Sequence, residues 1–391
     1  MVNGETEPEP PVERRSPSRR ALLTGATGGL GIGAVLGARL GSATLPKRTA
    51  LGPEQPAPID PFGTHQAGIA RPQTPQRNGC VGVFDLPSLA PARITAALVR
   101  ISDAITHLTT TAHPRLPDGP RDLTITIGLG PRPVQALGPE LPGAEDLPEF
   151  HSDEELSDQM RGGDLFVSCY SSDPNDVLAA LREVGSAVDG MSLRWLQRCF
   201  RPHGEGTIAR NPLTFYDGII VPRTPEELSE HVWLPEGPTA SGTILVVRRM
   251  RLATERFHDE PVSAQEEIIG RRRCDGAPLS GGGQHAQVDL RARSPEGELL
   301  TPDGSHVRSA HPSFTGSHLM LRRSYAFDNG GADHGLLFMC FQRDLQTFVR
   351  TQYRLDEVDR LMGFVTVTAS ATFLVLPGFS KDTPLGAALR A

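Results

Sequence analysis

Apolar and polar positions alternate through Leu123-Thr124-Ile125-Thr126-Ile127-Gly128-Leu129, a β-branched run that predicts a strand. A strand is also predicted near Gly82-Val83-Phe84-Asp85-Leu86. It is followed by Ile94, Ala97, Leu98, Ile101, Ile105 and Leu108 at the spacing of one helical face. Asp164-Leu165-Phe166-Val167-Ser168-Cys169 reads as a further strand. Asp173-Pro174 is a helix start signal, and Val177, Leu178, Ala180, Leu181 and Val184 line one face of the helix that follows, to Val188. A similar order returns after residue 213, with a strand at Gly242–Met250, a helix at Ser263–Gly270 and a buried strand at Gly335–Phe341. A helix around Asp344–Tyr353 and a last strand near Thr372–Leu376, stopped by Pro377-Gly378, complete it. Strands and helices in this order imply an α+β fold with helices packed on antiparallel sheet, in two comparable halves sharing a core. Identity between the halves is too weak to name a repeat.

Before the periodic chain lie two segments of different character. Residues 1–45 hold a Pro/Glu-rich start, then Ser18-Arg19-Arg20-Ala21-Leu22-Leu23 and an uncharged Gly/Ala-rich stretch from Ala21 to Ala38. A paired arginine before a mildly hydrophobic run resembles a twin-arginine export signal, with Gly41-Ser42-Ala43 as a cleavage region. Six glycines make the stretch a poor membrane-spanning helix, so a retained anchor is the weaker reading. Thr24-Gly25-Ala26-Thr27-Gly28-Gly29-Leu30-Gly31 imitates a nucleotide-binding glycine loop. No β-branched strand precedes it, and no ribose-binding acid stands near Pro46-Lys47-Arg48. Residues 46–78, rich in Pro, Gly, Thr and Gln, read as a linker or wrapping arm. The two halves then occupy 79–212 and 213–391.

Composition narrows the function. The formal net charge is −7, and no basic run stands outside the N-terminus, which argues against a nucleic-acid partner. Glycine (41) and proline (35) are abundant enough to predict long connections. The five cysteines, Cys80, Cys169, Cys199, Cys274 and Cys340, are scattered without a CxxC. They are expected to be mostly buried thiols rather than a disulfide framework or zinc site.

Chemically capable residues concentrate at Phe215-Tyr216-Asp217-Gly218, at Asp303-Gly304-Ser305-His306-Val307-Arg308 and at Met320-Leu321-Arg322-Arg323-Ser324-Tyr325. Taken singly, each has a plain explanation as a turn cap, a surface histidine or a paired arginine. His285, His311 and His318 compete with His306 as ligands. His285 sits in Gly281-Gly282-Gly283-Gln284-His285, a loop unsuited to fixing a ring.

As an ordered set these segments resemble the dye-decolourising (DyP-type) haem peroxidases over roughly residues 80–380. The set includes Leu147-Pro148-Glu149-Phe150, Gly163-Asp164-Leu165, Arg194-Trp195-Leu196-Gln197, Phe215-Tyr216-Asp217-Gly218 and Leu245–Arg251. It continues with Ile269-Gly270-Arg271, Gly276-Ala277-Pro278-Leu279, Ser305-His306-Val307-Arg308, Leu321–Tyr325, Gly335–Phe338, Phe341–Leu345 and Leu376-Pro377-Gly378. The resemblance implies two ferredoxin-like halves, with b-type haem (iron protoporphyrin IX) in the C-terminal one, and H2O2 and a small organic reductant as substrates.

By the same resemblance His306 is the proximal iron ligand, its other ring nitrogen held by an acid for which Asp359 and Asp356 are the candidates. Asp217 is the distal acid–base and Arg322 the distal cation. Gly218, Ile219, His311, Pro312, Ser313, Ser324, Leu336 and Phe338 are further cofactor contacts, with Leu336 and Phe338 on one strand face. The family's GxxDG glycine is replaced by Thr214, whose side chain is expected to narrow the distal pocket. Val221-Pro222 stands for Asn-Pro, and Ser324 for Asn or Gly. Electron transfer to bulky donors would need an exposed aromatic among Trp195, Trp233, Tyr170, Tyr216, Tyr325 and Tyr353, each of which also reads as a packing residue. The expected protein is an exported peroxidase, placed in the periplasm, at the cell surface or outside by the twin-arginine translocation machinery. The alternatives are a deferrochelatase-like haem-binding protein for iron acquisition, or a biosynthetic oxidase with a narrowed pocket. A homo-oligomer is compatible with the sequence.

Overall fold

The computed structural model describes residues 56–111 and 113–390. The export-signal reading, on residues 1–45, lies outside them. β1 (Asn78–Asp85) leads to α1 (Pro91–Thr110), β2 (Thr124–Leu129) and the short α2 (Pro131–Leu137), then β3 (Leu165–Ser171), α3 (Pro174–Ser186) and β4 (Ser192–Phe200). Two-residue strands β5 (Ala209–Arg210) and β6 (Tyr216–Asp217) and α4 (Pro225–His231) precede β7 (Thr243–Leu252). After it come α5 (Thr254–Asp259), α6 (Val262–Ile269), α7 (His306–Ser309), α8 (Pro312–Thr315) and β8 (Leu321–Arg322). The chain closes with β9 (Tyr325–Asp328), β10 (His334–Gln342), α9 (Leu345–Val358) and β11 (Val365–Val375).

Every strand pairing is antiparallel. The first half orders its sheet β2-β3-β1-β4 and the second β11-β7-β10-β9, which is the same topology twice. Edge joins to edge through Phe200 opposite Ala326 and through Leu374 opposite Leu129, so the eight long strands form one closed ring. This is the α+β, ferredoxin-like architecture that the resemblance implies.

Alternation along the strands decides what fills the ring. Val81, Val83, Phe166, Tyr170, Leu245, Val247, Leu337, Met339, Phe341, Ala371 and Phe373 pack together inside it. Their alternates Cys80, Ile125, Ile127, Val167, Cys169, Ile244, Val246 and Cys340 face outward onto helices. α1 covers them with Ile94, Leu98, Ile101, Ile105 and Leu108. Each such side chain is worth roughly 1.5–3 kcal/mol when fully buried. α3 starts where Asp173 accepts a hydrogen bond from the Asn175 N–H (2.8 Å), with Pro174 in the first turn. Residues 56–77 wrap the ring as an arm: buried Gln66 donates to the carbonyls of Ile127 and Leu376, tying both halves (2.9 Å each). Four of the five cysteines are buried, and Cys274 is exposed.

Some expectations shift. β1 begins at Asn78, before the first predicted residue, and β11 starts at Val365 rather than near Thr372. β4 was not anticipated as a strand, because Trp195 and Cys199 face in while Leu193, Leu196 and Phe200 lie exposed on the other side. With apolar residues on both faces, no alternation is visible.

Candidate active site

His306 opens α7, and its Nδ1 lies 2.7 Å from Asp359 Oδ2. The other carboxylate oxygen of Asp359 accepts the Leu361 N–H (2.9 Å), and the Arg360 N–H donates to the Gly304 carbonyl (3.0 Å). Two chain segments are thereby clamped around the imidazole. Facing a carboxylate, which accepts, Nδ1 is the donor and Nε2 is left for another partner. Of the two candidate acids, the structure therefore selects Asp359. Asp356, one helical turn earlier, instead accepts from Gln352 (2.7 Å) and contacts Ser152.

Asp217 ends β6 and leads into a tight turn. Its Oδ1 accepts the Gly218 N–H (2.6 Å) and a bond from Arg322 Nη2 (3.3 Å), while Arg322 Nη1 donates to the Ile220 carbonyl (3.2 Å). Gly218 is indispensable to this turn: its φ is +76°, and a Cβ there would run into the Thr207 carbonyl. Arg223 donates to the Gly218 and Ile219 carbonyls (2.8 and 2.7 Å), and Arg201 donates to the Thr207 carbonyl, so two arginines buttress the turn. Neither was anticipated, since an arginine that binds main-chain carbonyls leaves no sequence motif.

The two clusters lie close enough for their charges to act on one another. His306 keeps 38% of its side-chain surface open, Asp217 31% and Arg322 28%, although His306 and Asp217 lie deep within the protein. Burial pushes the Asp217 carboxyl up, but Arg322, the Gly218 N–H, Arg201 and His306 together outweigh it and hold it below the usual carboxylate range. Burial pulls the His306 imidazolium down, while the charge and hydrogen bond of Asp359 outweigh that and raise it. His306 and Asp217 thus feel one another. Arg271, buried behind the site and facing Arg322's charge, is pulled down to about 10, mainly by burial.

Apolar side chains stand beside these polar groups. Leu336 and Phe338 do share the outer face of β10, both half-open, and Met250 stands opposite Leu336 on β7. Ser324 Oγ is buried without a partner and lines the same cavity as Asp217, Arg322 and Leu336. An imidazole held by a carboxylate, a nearby carboxylate–guanidinium pair and uncovered apolar strand positions are a set of groups that suits a haem.

The remaining candidates take varied local environments. Ile219 is 3% exposed and offers almost no free surface. His311 caps α8 through the Ser313 N–H (3.1 Å), a local bond that leaves Pro312 and Ser313 at that helix start. His285 is exposed, and His318 turns toward α4. Thr214 does not narrow the distal pocket. It is exposed, adopts φ +67° and lines an outer cavity of about 690 Å³ with His258, Val262, Glu266 and Cys274. Glycine suits such a position for its backbone conformation, not for contact with the ligand. Of the six aromatics, only Tyr353 is exposed, at 50%.

Comparison with known proteins bears directly on this arrangement. Residues 66–201 match the family described as Dyp-type peroxidase, N-terminal, and residues 208–380 its C-terminal counterpart. A dye-decolorizing peroxidase of Thermobifida fusca is 32% identical, over 94% of this chain and 96% of its own. The chain belongs to the DyP-type peroxidase family. That family is one of haem enzymes acting on H2O2 with a reducing substrate. The ferric DtpA structure from Streptomyces lividans superposes with TM-score 0.80 at 30% identity, over 86% of this DyP-type chain and 98% of its own. A deferrochelatase of Escherichia coli (strain UTI89 / UPEC) is 30% identical over 95% of this chain and 97% of its own.

Proposed function

We propose that this DyP-type protein is an exported peroxidase that binds haem b between His306 and the Asp217–Arg322 pair, reduces H2O2 there and oxidises phenolic or dye-like donors in one-electron steps. The observation that supports the reading is the His306–Asp359 pair, with His306 near enough to Asp217 and Arg322 for their charges to act on it. Ferric haem would supply a redox-active, Lewis-acidic iron that reacts with peroxide. His306 Nε2 would hold that iron, with Asp359 fixing the tautomer and strengthening the ligand. Asp217, kept ionised by its neighbours, would accept a proton from the inner peroxide oxygen and deliver it to the outer one. Arg322, tethered through the Ile220 carbonyl, would stabilise negative charge on the departing oxygen. Leu336, Phe338 and Met250 would exclude water, and Ser324 Oγ would be left to bond a distal ligand. Export rests on Arg19-Arg20 and the stretch that follows.

An absorption spectrum of the purified protein with and without H2O2, set beside His306→Ala, tests the site. Wild type should show a haem band that changes within seconds of peroxide addition, and His306→Ala should lose haem or lose that response. The kinship with deferrochelatases favours haem binding for iron acquisition as the second reading. Asp217→Ala combined with Arg322→Ala decides between them. Loss of the peroxide response with haem retained favours the enzyme, whereas ready haem exchange with no peroxide response in wild type favours the carrier. The narrowed-pocket oxidase loses its support with the position of Thr214.

A further inference from the structure

Away from the proposed haem site, α4 ends in Glu230 and His231, and His318 approaches them from the stretch between α8 and β8. One potential ligand atom of each lies within 4.8 Å of the others, and among the described residues no other three such side chains come so close. His231 Nε2 is 4.0 Å from Glu230 Oε2, and the two imidazoles are centred 5.5 Å apart. Two ligands of one zinc ion, each at roughly 2.0–2.2 Å, can be at most about 4.4 Å apart. The cluster therefore needs only a small contraction, and exposed Glu230 and His318 have room to make it.

Two independent observations mark the cluster as more than a chance surface grouping. The His231 ring is only 14% exposed, with Nε2 toward Glu230, so packing fixes one of the three ligands in place. The platform beneath it is also rigid. α4 begins with a capping box between Thr224 and Glu227, and the Arg343 N–H donates to the His231 carbonyl (3.0 Å). The Arg343 guanidinium is engaged by the Glu230 carbonyl (3.1 Å).

We propose that Glu230, His231 and His318 bind a divalent transition-metal ion of the zinc class, with water completing its shell. Two imidazoles and one carboxylate suit such ions better than calcium or magnesium, which favour all-oxygen shells. The ion ties the end of α4 to the stretch that enters β8 with Arg322. Because α4 follows Ile220, whose carbonyl holds Arg322, occupancy braces the distal side of the site from behind.

Titration calorimetry of the haem-loaded protein with Zn2+ tests this, using His318→Ala and Glu230→Gln, both exposed positions. Wild type should take up one zinc per chain, and its melting temperature should rise with added Zn2+. His318→Ala should bind at least about a hundredfold more weakly, beyond the roughly 10–100-fold cost of losing a supporting outer residue. It should also lose the thermal response while melting like wild type without zinc. Glu230→Gln should fall between the two. No zinc uptake by wild type, or unchanged stoichiometry and affinity in both variants, overturns the proposal.

Discussion

The two halves share one strand order but treat the outer face of their sheets differently. In the first half α1 and α3 lie across the sheet, and every residue of β2 and β3 is buried. In the second half α9 covers only part of the sheet, and β10 keeps Leu336 and Phe338 half-open, with Met250 beside them on β7. The link from first to second strand also differs: in the first half it carries the long α1, in the second the short helices α5 to α8 and long irregular stretches. His306 comes from that irregular link, while Arg322 enters just before β9. The same topology therefore yields a closed core where a helix is laid across the sheet, and a site where the helix is replaced.

The largest test of this contrast sets one substitution from each half side by side. Asp217→Asn keeps the shape of the distal turn but removes the proton acceptor, so the rate of reaction with H2O2 should fall by roughly 10²–10⁴. Its unfolding midpoint in urea should stay close to wild type. Leu98→Ala in α1 should do the reverse, removing about 2–5 kcal/mol of stability while the haem spectrum and peroxide rate of the folded protein hold. Equal stability losses at both positions would mean that the halves are not specialised as described.

The same contrast explains what was legible in the sequence. The first half is built from local patterns: the period of Ile94 to Leu108 and the alternation of Leu123 to Leu129 each announce their element. The closing of the ring depends on single long-range pairs such as Phe200 with Ala326, which no local pattern encodes. At the site, an ordered set of motifs points to His306, Asp217 and Arg322, but it leaves Asp359 and Asp356 both open as the acid behind His306. Asp356 and Asp359 differ by three residues, and only the end of α9 at Val358 turns Asp359 toward the imidazole while Asp356 stays on the helix beside Ser152. Thr214 was misread for a related reason, because sequence reports a side chain where the turn needs a backbone angle.

A smaller effect is expected in the pH profile. Arg322 heads the neighbours that hold the Asp217 carboxyl below its ordinary range against the upward push of burial. A depressed pKa keeps the carboxylate ionised in mild acid, so the peroxide rate should stay level as pH falls and drop only on passing through that lowered value. Arg322→Ala removes the leading downward influence, and its acid limb should move to higher pH. Rapid-mixing rates across pH check this; an unmoved limb would assign the proton acceptor elsewhere.

The smallest effect separates backbone from side chain at Thr214. At φ +67° a β-branched residue sits in the left-handed region, at a cost of roughly 1–2 kcal/mol relative to glycine. Thr214→Gly relieves that strain and keeps both main-chain bonds, from its N–H to the Asn211 carbonyl and to its carbonyl from Arg210. Glycine also loosens the unfolded chain, which returns about 0.4–1 kcal/mol. The net gain in unfolding free energy should therefore be between about 0 and 1.6 kcal/mol. Because the threonine faces the outer cavity, the peroxide rate should stay within about twofold. A rate or donor preference that changes severalfold would put the side chain at 214 in control of the site after all, and the outer cavity would then have to communicate with it through Arg210, the side chain that lines both.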